Sequence, residues 1–82
     1  MPLVTVLYFA SVRDRLGRAQ DLVDLPALTS DRAVRAALAR LRPEAADLLA
    51  VCRLAVDHAF VSGAVELSAK SEVAVIPPVS GG

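Results

Sequence analysis

The sequence has very few residues of the types that most often carry enzyme chemistry. Its 82 residues include one cysteine, one histidine, one tyrosine, two phenylalanines and no tryptophan. A lone cysteine excludes an internal disulfide and a cysteine zinc cluster within one chain. A lone histidine, His58, likewise cannot build a multi-histidine metal site, and its position in a predicted turn indicates a surface residue. Cys52 has no evident activating neighbour, so we interpret it as a buried, inert thiol.

The chain also lacks an excess of either charge. Nine basic residues balance nine acidic ones without a run of like charge, so a nucleic-acid or anionic-membrane partner has no electrostatic support. The longest apolar run, from Leu3 to Ala10, is too short to span a membrane, and no signal-peptide pattern is seen. We therefore expect a single cytoplasmic domain without a metal.

Apolar residues are what the sequence has in excess. They make up 55% of the chain, and the mean hydropathy is +0.52. A domain of this length buries only about 60 to 65% of its unfolded surface. Part of the apolar surface should therefore face a partner.

The first part of the chain is predicted to form a strand, a short helix and a second strand. Leu3 to Phe9 has apolar residues on both faces, which predicts a central strand covered on both sides. In so small a chain, a partner is one candidate for the second cover. The apolar residues from Ala10 to Leu16 have helical spacing, and Gly17 suits a left-handed cap at the end of that helix. An edge strand that pairs with the first strand is predicted over Ala19 to Leu25.

The main helix is predicted after Ser30 or Thr29, either of which suits its N-cap. Its apolar stripe comprises Val34, Ala37, Leu38 and Leu41, and its arginines, including Arg42, are assigned to a solvated face. Pro43 should end the helix, and a further short helical turn is expected between residues 44 and 50.

The second half reads as two further strands around an irregular stretch. A third strand is predicted over Cys52 to Val56, followed by a turn at Asp57-His58 and a return through Phe60-Val61. Leu67 is expected to fill the core beneath an irregular segment. The order strand, strand, helix, strand, strand suits an α+β sheet with its helix on one face.

The last ten residues carry the most specific signal. Val73 to Ile76 suits a strand, and Pro77 and Pro78 should end regular pairing and turn the chain away from the sheet. The six residues from Pro77 to Gly82 reach roughly 20 Å when extended. Two final glycines suit a narrow channel in another protein, although a frayed end is the plain alternative. A terminal carboxylate is ionised at neutral pH, so chemistry at Gly82 requires activation by another enzyme.

These residues resemble a known family. The ending Val73-Ala-Val-Ile-Pro-Pro-Val-Ser-Gly-Gly82 is similar to that of the small, sulfur-carrying subunit of molybdopterin synthase. Val6 to Arg13 and Leu54 to Val61 are similar to its opening and middle segments. The resemblance implies a ubiquitin-like β-grasp fold of the α+β class, with a mixed sheet, one main helix on one face and an extended Gly-Gly tail. It divides the chain into a domain of residues 1–76 and a tail of residues 77–82.

The resemblance also implies a site and partners. An activating enzyme would use ATP to adenylate the Gly82 carboxylate and a sulfur donor would convert it to a thiocarboxylate, with no cofactor bound by the carrier itself. The tail residues Pro77, Pro78, Val79, Ser80 and Gly81 would enter the large subunit of a heterotetramer, where sulfur passes to a cyclic pterin phosphate precursor. Apolar residues at Phe9, Phe60 and Ile76 would pack against that subunit, and catalytic side chains would lie on it.

Three alternatives stay open at this point. The chain is a sulfur carrier for thiazole synthesis, a ubiquitin-like modifier joined to lysines, or a non-covalent interaction module whose prolines bind an aromatic groove.

The sequence also departs from the family pattern at Asp57, where asparagine is frequent. At Ala69-Lys70-Ser71 a turn rich in glycine and aspartate is common in that family. Both departures concern the shape of local turns.

Overall fold

Strands and helices alternate along the chain in the computed structural model, which describes residues 1–79. Within that range there are seven strands and three α-helices. In chain order they are β1 (Leu3–Tyr8), α1 (Ala10–Leu16), β2 (Gln20–Asp24), β3 (Leu28–Ser30), α2 (Asp31–Leu41), α3 (Ala46–Leu49), β4 (Arg53–Val56), β5 (Ala59–Phe60), β6 (Ala64–Glu66) and β7 (Glu72–Ile76), with a 3-10 turn over Pro43–Ala45.

The C-terminal strand lies at the centre of the main sheet. Within the described residues this sheet has five strands in the order β2-β1-β7-β4-β5. Strand β7 pairs parallel with β1 and antiparallel with β4, so its backbone is held from both sides. Strand β2 pairs antiparallel with β1 and lies at the edge, which confirms both sequence-based predictions.

The core lies between the helices and one face of this sheet. Alternate residues of each strand point into it, because successive side chains in a strand face opposite sides. Val6 in β1, Leu54 in β4 and Val75 in β7 are buried there, together with Val34 and Leu38 of α2. Burial of such side chains contributes about 1.5 to 3 kcal/mol each, which fixes this face of the sheet as the inner one.

The ends of the first two helices follow local rules. Gly17 adopts a φ of 68° after α1, in the left-handed region that favours glycine, and its N–H donates to Arg13 O. Ser30 caps α2, since its Oγ accepts a hydrogen bond from the N–H of Ala33 at 3.1 Å. Both caps are confirmed as predicted, and Pro43 begins the 3-10 turn directly after the helix.

A second small sheet was missed by the sequence analysis. Strands β3 and β6 pair antiparallel, with Thr29 opposite Val65. The segment before Leu67 is therefore not simply irregular as predicted, although Leu67 itself is buried in the core as expected. Each of these strands has three residues, which is too short to show a periodic pattern.

The C-terminal end of α2 also differs from the prediction. Leu41 was placed on the buried stripe but is 46% exposed. Arg42 was placed on a solvated face, but its guanidinium makes two hydrogen bonds, of 2.9 and 2.6 Å, to the Asp21 carboxylate of β2. Tyr8 donates to the same carboxylate at 2.6 Å, so the carboxylate joins two strands to the end of the helix.

The two turns that depart from the family pattern are both well anchored. Asp57 and His58 have φ values of 48° and 73°, as a two-residue turn between β4 and β5 requires. Asp57 Oδ1 accepts from the N–H of Glu72 at 2.9 Å, which ties this turn to the start of β7. The later turn is closed by Ser71, whose Oγ accepts from the N–H of Ser68 at 2.9 Å.

Candidate functional site

The outer face of the main sheet is apolar and open. The strand residues that alternate with the core positions point to this face, away from the helices. Leu3 and Leu22 lie at its β2 side and are exposed, and Phe60 lies at the opposite side and is 55% exposed. Within residues 1–79 the chain covers only the inner face of β1, so the second cover, which the sequence analysis assigned to the chain or to a partner, stays a prediction.

The three residues predicted to bind a partner come together on this face. Phe9, Phe60 and Ile76 line one groove of about 460 Å³, although they lie far apart in the sequence. Ala55 of β4 and Ala74 of β7 are direct cross-strand partners in its floor. The side chains at the floor are small and those at the walls are large, so the sheet surface is concave here. The remaining lining residues are Leu7, His58 and Glu72.

An arginine that the sequence analysis did not single out packs over Phe60, which forms one wall of the groove. The guanidinium carbon of Arg53 lies 4.0 Å from the centre of the Phe60 ring. A cation over an aromatic face at this distance stabilises the pair by about 0.5 to 1 kcal/mol at an exposed site. The contact arises because both residues point to the outer face of the β4–β5 hairpin, a register that their spacing in the sequence did not reveal.

The chain leaves the sheet beside this groove. Strand β7 ends at Ile76, directly before Pro77 and Pro78, as the missing N–H groups of proline predict. Pro77 is half-buried, Pro78 is exposed and Val79 is 94% exposed. The chain thus moves from the centre of the sheet to full exposure within a few residues.

The predicted reactive end of the tail lies outside the described residues. Ser80, Gly81 and the proposed reaction centre Gly82 follow Val79 and are not among them. Their predicted roles, and the division into a domain of residues 1–76 and a tail of residues 77–82, stay predictions.

Among residues 1–79, the single cysteine is a poor candidate for a reactive side chain. Burial raises the pKa of the Cys52 thiol, which disfavours the nucleophilic thiolate, and its Sγ donates to Leu48 O at 3.1 Å. His58 is exposed in its turn, as predicted. No group of three or more potential metal ligands occurs among these residues, and none of their helices is long and apolar enough to cross a membrane.

The fold and the position of its last strand define the class of protein. A mixed sheet with a central C-terminal strand, covered on one face by one main helix, is the ubiquitin-like β-grasp arrangement. A solved structure of a molybdopterin converting factor subunit 1 from Pyrococcus furiosus has this fold and superposes with a TM-score of 0.78. It is 26% identical to this chain, and the match covers 96% of this chain and all of that one.

The sequence comparison is more specific. The model of the ThiS family matches residues 6–82, so the chain belongs to the ThiS family. A molybdopterin synthase sulfur carrier subunit from Dictyostelium discoideum is 35% identical, over 94% of this chain and 93% of that protein. A solved complex of subunits 1 and 2 of a molybdopterin-converting factor from Helicobacter pylori contains a chain that is 18% identical, with a TM-score of 0.68. That match covers 98% of this chain and 99% of the other, and it shows likeness of fold.

Proposed function

We propose that this chain is the sulfur carrier subunit of a molybdopterin synthase and that it carries sulfur as a thiocarboxylate on Gly82. The observation that supports this most strongly is the nearly full-length similarity to a protein named for that role. The exposure of the chain after Ile76 agrees with it, because a carrier must present its end to other proteins. The poor reactivity of Cys52 also leaves the chain terminus as the better site for sulfur.

The proposed chemistry follows from the properties of a carboxylate. At neutral pH it is ionised and resists attack by a nucleophile. A separate activating enzyme would transfer the adenylyl group of ATP to a Gly82 oxygen and release pyrophosphate. A donor at the oxidation level of sulfide would then attack the carbonyl carbon, and AMP would leave with that oxygen. The product is a thiocarboxylate, 1-thioglycine, that carries a nucleophilic sulfur.

The second half of the cycle would take place on the large subunit. Pro77 to Gly81 would enter its active site, where the sulfur attacks a carbon of a cyclic pterin phosphate precursor. The bond from that carbon to a phosphate ester oxygen breaks, the phosphate keeps that oxygen, and the carrier is joined to the precursor as a thioester. Hydrolysis of the thioester leaves sulfur on the precursor and returns the Gly82 carboxylate. The catalytic side chains lie on the partner in this scheme, and the carrier binds no cofactor of its own.

The outer sheet face is the proposed docking surface for that partner. Phe9, Phe60 and Ile76 would be covered there, which would remove their exposed apolar surface from water. The groove lies next to the point where the chain leaves the sheet, so docking would also fix the origin of the tail. The whole assembly would be a heterotetramer in the cytoplasm, a compartment that suits an unpaired cysteine.

The length of the tail provides the direct test. Deletion of Gly82, or addition of one alanine after it, should abolish sulfur transfer in an assay with the purified large subunit, activating enzyme, ATP and sulfide. Circular dichroism should show that both variants keep the fold, because β7 ends six residues earlier at Ile76. Full activity of the extended variant, shown by mass spectrometry to be unprocessed, would contradict the proposal.

Intact mass distinguishes the alternatives. After incubation with the activating enzyme, ATP and sulfide, the chain should gain about sixteen mass units, because one oxygen is exchanged for sulfur. A protein modifier would instead appear in lysine conjugates of higher mass. A plain interaction module would show no ATP-dependent change.

A further inference from the structure

Two opposite charges border the groove on the outer face. Arg53 lies opposite Ile76, at the end where the chain leaves the sheet. Glu72 begins β7 and lines the other end. Glu72 lies four residue steps before Ile76 in β7, so the backbone positions of Glu72 and Arg53 are about 13 Å apart along the strands. The Arg53 guanidinium lies over the Phe60 ring, so the positive charge is at the Phe60 wall and the negative charge is at the start of β7.

These two charges are available to a partner. The ion pairs within residues 1–79 involve other side chains, and the guanidinium of Arg53 lies over Phe60 instead of against a carboxylate. Arg53 is exposed, and Glu72 is partly exposed at the edge of the groove. The contact with Phe60 also restricts the Arg53 side chain, so less rotamer freedom is lost when a partner binds.

The floor of the groove limits what can lie between these charges. Ala55 and Ala74 leave a depression between the larger side chains of Leu7 and Phe60. An apolar side chain from a partner would fill it and exclude water, whereas a flat surface would leave a void above the two alanines.

We propose that the groove receives one segment of the large subunit, which places a bulky apolar side chain on the Ala55–Ala74 floor, an acidic group at Arg53 and a basic group at Glu72. The reversed segment would bring like charges together at both ends, so the charges select one orientation of the partner relative to the tail. This inference rests on the proposed function, because it specifies how the same partner docks.

Calorimetric titration of the large subunit with carrier variants tests it. Ala74→Leu should fill the depression and weaken binding by about tenfold or more, since overpacking costs about 1 to 3 kcal/mol. Arg53→Glu and Glu72→Lys should each weaken binding by about threefold to twentyfold at low salt, because each variant replaces an attraction with a repulsion. The salt dependence of binding should also change in these two variants.

Matched controls lie on the opposite side of the molecule. Ala36→Leu and Arg32→Glu make the same kinds of change on the exposed surface of α2, and both should bind within about twofold of the wild type. Thermal unfolding of every variant checks the fold. The two charge variants change exposed or partly exposed side chains, so they keep the test decisive if Ala74→Leu does not fold.

The outcomes separate this inference from the proposed function. If the wild type binds and the groove variants bind as tightly as the α2 controls, the inference is overturned while the proposed function stands. If the wild type and all variants fail to bind the large subunit and sulfur transfer is absent, both are overturned. Selective loss of binding in the three groove variants supports the inference.

Discussion

Replacement of Asp21 by alanine should destabilise this domain more than the loss of any exposed ion pair. The Asp21 side chain is 9% exposed and accepts hydrogen bonds from Tyr8 and from two nitrogens of Arg42, and it also lies 3.0 Å from Arg18. Its removal leaves the Tyr8 hydroxyl and the Arg42 guanidinium without their acceptor. A buried polar group left unpaired costs more stability than an exposed one, because water can form hydrogen bonds with the exposed group.

The expected cost can be worked out contact by contact. The hydrogen bond from Tyr8 to a charged acceptor contributes about 1.5 kcal/mol. The Arg42 side chain is 23% exposed, so we assign its two hydrogen bonds to Asp21 a combined contribution of only about 1.5 kcal/mol. The more exposed Arg18 contributes at most about 0.3 kcal/mol. The total of about 3 kcal/mol corresponds to a fall of about 12 to 24 °C in Tm for a domain of this length.

The assay is thermal unfolding followed by circular dichroism, with Asp47→Ala as the matched control. Asp47 pairs with Arg15 at 2.7 Å, but both side chains are well exposed, so its loss should have little effect. A double-mutant cycle with Tyr8→Phe should give a coupling of about 1 kcal/mol between Asp21 and Tyr8. If Asp21→Ala is no less stable than Asp47→Ala, the reasoning is refuted.

Two further predictions concern pH. Burial and the hydrogen bond to Asp21 raise the pKa of Tyr8, the single tyrosine, so its stabilising effect is present below a pH of about 10 and is lost as the pH rises through the folded pKa. Ultraviolet difference titration should show no native phenolate near pH 10 and earlier ionisation in Asp21→Asn; equal curves would contradict this. Hydrogen bonds from Arg35 and the Gly63 N–H lower the pKa of Asp31, so its stabilising effect is present above about pH 4 and lost as the pH falls through the lowered folded value. Urea unfolding of Asp31→Asn should therefore show a shallower loss of stability at acid pH than the wild type, and parallel losses would argue against this role.

Local patterns in the sequence were sufficient to predict most of the fold. Gly17 and Ser30 cap their helices through interactions with residues only a few positions away, so short-range rules apply to them. The same is true of Pro77, which ends the last strand because proline lacks an N–H. The alternation in β1 also identified its two apolar faces, although within residues 1–79 only the inner one is covered.

The features that were missed depend on contacts across the sequence. Asp21 and Arg42 are 21 positions apart, and their pairing follows from the placement of α2 over the sheet. The short strands β3 and β6 are defined by each other and not by a pattern in either one. Arg53 became relevant to the site only once the hairpin register placed it over Phe60. The family resemblance singled out Phe9, Phe60 and Ile76 as expected docking residues, but it did not single out Arg53.

The arrangement of the sheet separates the packing of the domain from its proposed docking surface. Its inner face is completed by the helices, so folding does not require the apolar groups of the outer face. Those groups remain available to a partner. Strand β7 contributes to both faces, because Val75 points into the core and Ala74 points to the outer face. Since β7 is hydrogen-bonded on both sides, the tail begins at an interior strand of the sheet and not at its edge. Under the proposed function, the carrier would dock through this groove and present its end from that fixed origin.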